Sequence, residues 1–130
     1  MKKNYSLKGR KVFHKVFTRG RRFKGNGVRV IVLPCNYGGI HDEYARKNIT
    51  EKKTLHGNVK IGIAIRKKYG NAVMRNRAKR IVRSVCRELL PDLHEGYYII
   101  VQPDNDFQLL GYSEIKHTIA SVFKKAGLLT

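Results

Sequence analysis

Three segments of the chain place apolar residues at the three- and four-residue spacing of an amphipathic α-helix. The first covers residues 8–18 and is closed by Gly20. The second covers residues 72–90 and ends at Pro91, and Ser113 can cap the third. The expected core positions of the three helices are Val12, Phe13, Val16 and Phe17, then Ala78, Ile81, Val82, Val85 and Leu89, and finally Ile115, Ile119, Val122 and Phe123.

Other segments have the pattern of β-strands. Residues 23–34 hold a run of β-branched and apolar side chains, and residues 97–101 form a shorter apolar run that Pro103 stops. In residues 59–65 every second side chain is a Val or Ile, which predicts one buried face. The positions between them are Lys60, Gly62 and Ala64. Because Gly and Ala are poor strand formers, this small and basic face indicates the close approach of a ligand or of another backbone.

The order of these segments predicts an α+β fold, with a strand–helix–strand unit inside a small mixed sheet. At 130 residues the chain is long enough for one domain, residues 1–130, and too short for two independent cores. Residues 35–58 contain Gly38 and Gly39, mixed charge and no clear periodicity. We expect a surface loop or an extended connection there.

Charge adds the strongest functional signal. The chain has 28 Lys and Arg against 9 Asp and Glu, a formal net charge of +19. Residues 1–25 carry ten basic and no acidic side chains, and residues 66–87 carry nine and none. A compact fold does not require this charge and is destabilised by it, so a polyanion is the expected partner, most commonly a phosphate backbone. We therefore predict RNA binding.

The second predicted helix carries the densest basic cluster. Arg75, Lys79 and Arg83 lie four residues apart and share one exposed face, with Asn76 and Arg80 alongside. A guanidinium group presents a planar fork of donors to phosphate oxygens, and an Asn side chain can donate to and accept from a base or sugar edge. No acidic residue interrupts the cluster, which makes a merely solvated surface the weaker interpretation.

Several other kinds of site lack support in the sequence. Cys35 and Cys86 are far apart and have no neighbouring metal ligands, which favours reduced thiols. The five histidines are scattered, and Asp104 with Asp106 fits a polar turn better than a cation site. There is no signal-peptide h-region and no apolar run of the roughly 18–20 residues that would span a bilayer. We expect a cytoplasmic protein with no membrane contact and no catalytic or metal site of its own.

The run KKYGNAVMRNRAKRIVRSVCRE, residues 67–88, closely resembles the signature of the bacterial ribonuclease P protein subunit, with its central Arg-Asn-Arg. Residues 13–20 resemble the first-helix motif of that family. Residues 59–65 resemble its strand before the signature, and residues 97–102 its last strand. The resemblance therefore covers nearly the whole chain.

This resemblance implies a fold and a function. The family fold is a mixed four-stranded sheet with three helices, in the order α-β-β-β-α-β-α. It has a left-handed β-α-β crossover, the opposite of the usual hand. The family's ribonucleoprotein removes 5′ leaders from precursor tRNA, with Mg²⁺ held by a catalytic RNA subunit. The implied partners of this chain are ribonuclease P RNA and precursor tRNA, with one monomeric protein for each RNA.

The resemblance also assigns roles to residues. Phe13 and Phe17 match aromatic residues that border the leader cleft, where stacking tolerates any base, although plain core packing stays equally open. Ile31 stands where relatives often carry an aromatic residue, and Arg66 where they often have a small polar one. We therefore expect added phosphate contacts to replace one stacking platform. The residues expected to bind RNA are Arg66, Lys67, Lys68, Asn71, Arg75, Asn76, Arg77, Lys79, Arg80 and Arg83, and those expected at the leader cleft are Phe13, Phe17, Arg29, Ile31 and Lys60.

Two other functions stay open at this point. One is a structural RNA-binding protein of ribosomal type with no role in cleavage, which the helical Arg-Asn-Arg signature disfavours. The other is a DNA-binding helix-turn-helix module. It is disfavoured because the most basic helix lies between strands rather than behind another helix.

Overall fold

The computed structural model describes residues 6–7, 9–35 and 59–129. They form three α-helices and one four-stranded mixed sheet, which confirms the predicted α+β class. The elements are α1 (Arg10–Arg19), β1 (Arg21–Gly25), β2 (Val28–Pro34), β3 (Lys60–Ile63), α2 (Ala72–Leu89), β4 (Tyr97–Pro103) and α3 (Tyr112–Lys125), with short 3-10 turns at Lys67–Tyr69, Leu90–Asp92 and Asn105–Leu109. Except for Cys35, the predicted connection at 35–58 lies outside the described residues.

The strand order across the sheet is β1-β2-β4-β3. The pairs β1–β2 and β2–β4 are antiparallel, and β3–β4 is parallel. Helix α2 connects the two parallel strands, as predicted, and the left hand of that crossover stays a prediction. Residues 23–34, expected as strand throughout, instead belong to a hairpin. Its turn places Gly27 at φ +78°, a conformation that favours glycine.

Helices α2 and α3 cover one face of the sheet. Val28, Val30 and Val32 of β2 point into this core and are at most 5% exposed. The predicted core positions of α2 and α3 pack against them, although Ile81 is only half-buried. Cys86, which the sequence pattern did not select, is fully buried in the same core. Burial raises the pKa of its thiol to about 12, so the side chain stays neutral.

Helix α1 covers only part of the opposite face. Val16 is fully buried there and packs with Ile31 and Ile100. The ring of Phe13 lies over Gly62 of β3, where an added Cβ atom would overlap Phe13 Cζ and lie 3.0 Å from Cε1. The small face predicted on this strand is therefore filled by a side chain of α1, not by an external ligand.

The residues before α1 lie along the outer edge of β3. The Leu7 N–H donates to the Ile61 carbonyl at 2.9 Å, and Ser6 forms a parallel bridge with Ile61. Leu7 itself is buried in the core beneath α1. This short segment therefore pairs with the backbone of an edge strand and also contributes to the second core.

Helix α3 does not begin at the predicted cap. Gly111 occupies the N-cap position, and its N–H donates to Glu114 Oε1 at 3.1 Å. Ser113 lies within the first turn instead. Glu114, at the third helical position, thereby satisfies the backbone N–H of the N-cap residue, which is one half of a capping box.

Replacing Gly62 by Ala should lower the free energy of unfolding by about 1–3 kcal/mol, because the added methyl group overpacks against the Phe13 ring. Urea denaturation of the purified chain measures this change. The Phe13→Leu variant and the double variant complete a double-mutant cycle. The cost of Gly62→Ala should shrink once the ring is gone, and an equal cost in both backgrounds would contradict the contact.

Candidate RNA-binding surface

The turn before α2 determines how that helix begins. Gly70 has φ +157° and ψ −167°, a region that is nearly restricted to glycine, and a Cβ atom there would lie 2.6 Å from Met74 Sδ. Asn71 caps the helix, because its Oδ1 accepts from the Met74 N–H at 2.9 Å. Arg75 Nη1 donates to the Gly70 carbonyl at 2.5 Å. Two predicted RNA contacts, Asn71 and Arg75, therefore also hold the turn to the helix.

One side of α2 is exposed and basic. Arg75 and Lys79, predicted to be exposed, are half-buried at the border of this side. Within the described part of the chain, none of the basic side chains of α2 forms an ion pair with a carboxylate group. We define the basic face of α2 as its exposed residues Asn76, Arg80, Arg83 and Arg87.

The opposite edge of α2 contacts α3. Glu88 Oε2 accepts from the Tyr112 hydroxyl at 3.2 Å and lies 3.4 Å from Lys116 Nζ. Ser84 Oγ lies 2.8 Å from the same hydroxyl. The acidic residue that ends the basic run is thus engaged within the protein, and it does not neutralise the basic face of α2.

A second basic surface lies on the part of the sheet that α1 leaves open. Strand pairing places Lys24 beside Arg29 and Arg29 beside Gln102, so these side chains form a row across β1, β2 and β4. The adjoining row, which contains Ile31 and Ile100, is covered by α1. The open row borders a cleft of about 340 Å³, which we call the sheet cleft. The remaining residues that line it are Arg66, Lys68, Tyr69, Pro103, Asp104, Asn105 and Asp106.

The charges in the sheet cleft come from three chain regions. Its cations come from the hairpin and from the segment after β3, whereas its acids directly follow β4. Asp104 Oδ1 accepts from the Asp106 N–H at 2.9 Å, which confirms the predicted polar turn. Lys67, another predicted RNA contact, is exposed on the 3-10 turn but does not line the sheet cleft.

Tyr69 connects the sheet cleft with α2. It is 5% exposed, lines the sheet cleft, and also lines a groove that includes Arg77. Burial raises the pKa of its phenol, Arg77 lowers it, and Asp104 raises it. Its carbonyl accepts from Gln108 Nε2 at 2.9 Å. Arg77 therefore points towards Tyr69 while Arg75 points towards Gly70, in agreement with the expectation that two residues so close in a helix occupy different faces.

The five residues predicted for the leader cleft differ in exposure. Arg29 lines the sheet cleft, and Phe13 and Phe17 are half-buried against the core beneath α1. Ile31 is fully buried, and Lys60 is 7% exposed. The predicted leader contact of Ile31 is therefore corrected, because its side chain has no free surface. Lys60 does not line the sheet cleft, and its leader contact stays a prediction.

Sequence reasoning did not select two residues of the open row, Lys24 and Gln102. The only signal for Lys24 is the hairpin register, since the turn at residues 26–27 places it opposite Arg29. Gln102 lies in a strand that reads as continuous apolar core, and its position opposite Arg29 follows from pairing between distant strands.

Two further classes of site find no support in the described residues. No three His, Cys, Asp or Glu side chains converge there on a possible metal position, and no helix there is long and apolar enough to cross a membrane. Both cysteines are free thiols, as expected. Burial raises the pKa of Cys35 to about 11, although Lys60 lowers it.

Comparisons with known proteins converge on one family. The Ribonuclease P family model matches residues 1–127. The chain is 33% identical over 129 residues to the ribonuclease P protein component of Symbiobacterium thermophilum, covering 99% of this chain and 96% of that protein. It is also 33% identical over 129 residues to that of Oceanobacillus iheyensis, covering 99% and 92%.

Solved structures share the fold. The RNase P protein of Staphylococcus aureus superposes with a TM-score of 0.74 at 22% identity, covering 98% of this chain and all of the other. That of Thermotoga maritima gives a TM-score of 0.70 at 20% identity, covering 92% and 96%. The arrangement of helices, strands and basic surfaces is thus accompanied by a match along nearly the entire sequence, and the chain belongs to the ribonuclease P protein family.

Proposed function

We propose that the chain acts as the protein subunit of a ribonuclease P ribonucleoprotein, and that it binds two RNA segments at once. The sheet cleft takes the single-stranded 5′ leader of precursor tRNA, and the basic face of α2 binds the catalytic RNA. The observation that carries this proposal is the position of the two basic surfaces. One adjoins the sheet face beneath α1, and the other is presented by a helix that packs on the opposite face.

The sheet cleft suits a single strand of RNA. Its four cations, Lys24, Arg29, Arg66 and Lys68, can contact phosphate oxygens from two sides. Phe13 and Phe17 pack on the core beneath α1 but are only half-buried. Exposed aromatic surface can stack with any base. The combination favours binding of leaders that differ in sequence.

The protein's contribution to cleavage is electrostatic and positional. Mg²⁺ held by the RNA subunit would supply the activated water, and the residues of this chain would bind and position the RNA. The cations of both surfaces offset the repulsion between the leader and the catalytic RNA, two polyanions that must lie close together. The proposal implies one protein molecule for each RNA and a cytoplasmic location.

Replacing Arg80 or Arg83 by Ala should weaken binding to ribonuclease P RNA and reduce the slope of log K against log salt by about 0.7–0.9 for each lost phosphate contact. Affinities measured over a range of KCl concentrations give the slope. Lys116→Ala is the matched control, because it removes the same charge from a side chain that faces Glu88. Its slope should equal that of the wild type. Arginine variants with an unchanged slope would refute the proposed contacts of the basic face of α2.

Adding the chain to a bacterial ribonuclease P RNA at physiological Mg²⁺ should raise kcat/KM for a precursor tRNA with a long leader by at least about ten-fold, since each stacked base contributes about 1–3 kcal/mol. A substrate whose leader is trimmed to a single nucleotide should gain much less. The protein without RNA should not cleave either substrate. Equal stimulation of both substrates would reject the leader role and favour a structural RNA-binding protein, and cleavage without RNA would reject the division of labour.

A further inference from the structure

The large hydrophobic side chains that are exposed in the described part of the chain come from two neighbouring segments. Val73, which is 73% exposed, and Met74 lie in the first turn of α2. Leu109, which is 81% exposed, lies just before α3, and Tyr112 is the first residue of α3. Single exposed apolar side chains are ordinary, but a cluster on adjacent elements indicates a surface that a partner covers.

These two segments form the sides of a groove with a volume of about 180 Å³, which we call the α2–α3 groove. Its lining includes Met74, Arg77 and Ile81 from α2 and Phe107, Gln108 and Leu110 from the segment before α3. The accessible apolar lining consists of Met74, Ile81 and Leu110, whereas Phe107 and Tyr69, the aromatic residues of the groove, are buried. Aliphatic side chains of a protein therefore fit this groove better than a nucleotide base, which binds by stacking on exposed aromatic rings.

The groove favours a helical partner over an extended one. An extended segment that entered it would need hydrogen-bond partners for its buried backbone groups, and the Gln108 amide already donates to the Tyr69 carbonyl at 2.9 Å. A helix satisfies its own backbone groups and inserts only side chains. The part of α2 that lines the groove, from Met74 to Ile81, is about two helical turns long. That length accommodates apolar side chains from two successive turns of a partner helix.

Charge determines which partner helix is favoured. Arg77 is exposed at the groove, and within the described residues no acidic side chain lines it. Glu114, in the first turn of α3, accepts from the Gly111 N–H and is engaged there. A partner carboxylate could therefore form charge-assisted hydrogen bonds with Arg77. A second copy of this chain, with its net charge of +19, would be repelled.

We propose that the α2–α3 groove binds an acidic amphipathic helix of another protein. Aliphatic side chains of that helix fill the groove beside Met74, Ile81 and Leu110, and its carboxylate groups face Arg77. The groove lies beside the basic face of α2 and shares no residue with it, so this inference does not depend on the proposed binding of RNA.

The probe is a fluorescein-labelled peptide of about 16 residues, with a stripe of leucines at helical spacing and glutamates on both flanks. Fluorescence anisotropy with the purified full chain, at about 0.15 M salt, gives the dissociation constant. A peptide with alanines in place of the leucines keeps the helix and the charge, and its dissociation constant should be at least about ten-fold higher. A leucine peptide that binds no better than the alanine peptide overturns the proposal.

Two variants of the chain locate the binding site. Met74→Glu places a negative charge in the groove and should raise the dissociation constant of the leucine peptide by at least about ten-fold. His117→Glu is the matched control, because it makes the same change in charge at an exposed position of α3 that does not line the groove. Its dissociation constant should stay within about two-fold of the wild type. Thermal melts verify that both variants are folded, and equal weakening by both would overturn the groove as the site.

A charge-neutral double variant, Val73→Ser with Leu109→Ser, separates the possible occupants of the groove. It should weaken binding of the leucine peptide by about ten-fold, because exposed hydrophobic surface is lost. Its affinity for ribonuclease P RNA and its sedimentation coefficient should equal those of the wild type. A loss of RNA affinity would assign the groove to RNA, and a wild-type dimer that dissociates in this variant would assign it to a second copy. Either result overturns the proposal.

Discussion

The register between β2 and β4 is the constraint on which the rest of the structure depends. Arg29 lies opposite Gln102, and Ile31 lies opposite Ile100, on the side of the sheet that faces α1. Side chains alternate between the two faces of a strand, so a shift of one residue would bury Arg29 and expose Val30. The pairing that builds both cores is therefore also the pairing that forms the open row of the sheet cleft.

Local patterns predicted the helices because amphipathic spacing is a property of neighbouring residues. Helix α2, expected over 72–90, covers Ala72–Leu89, and its apolar stripe packs on the sheet. Alternation in residues 59–65 also predicted which side chains of β3 face the core, but not how far a helix extends over the opposite face. Three features depend on how far α1 extends over the sheet. Ile31 is buried, Phe13 fills the space at Gly62, and Gln102 lines the sheet cleft. These contacts join distant residues, so no short segment contains their signal.

The unpaired charge of the basic surfaces connects stability with binding. Close cations repel one another in the free protein, and this repulsion is relieved when phosphate groups approach. A partner that binds only the native state also stabilises that state by mass action. Arg75 shows how closely the two effects are joined, because its guanidinium group holds the Gly70 carbonyl at the start of the basic helix. Removing the Arg75 side chain would therefore lower the positive charge of the surface and also remove a hydrogen bond at the start of α2.

The segment at Ser6 and Leu7 has a consequence for the protein before it meets RNA. A sheet with free edges offers its backbone groups to any other strand, including one from a second copy of the chain. Here the outer side of β3 is occupied by the Leu7 N–H, and the outer strand β1 carries Arg21, Arg22 and Lys24. One edge is blocked by the chain itself and the other by like charges. Edge-to-edge pairing between two copies of the sheet is thereby hindered.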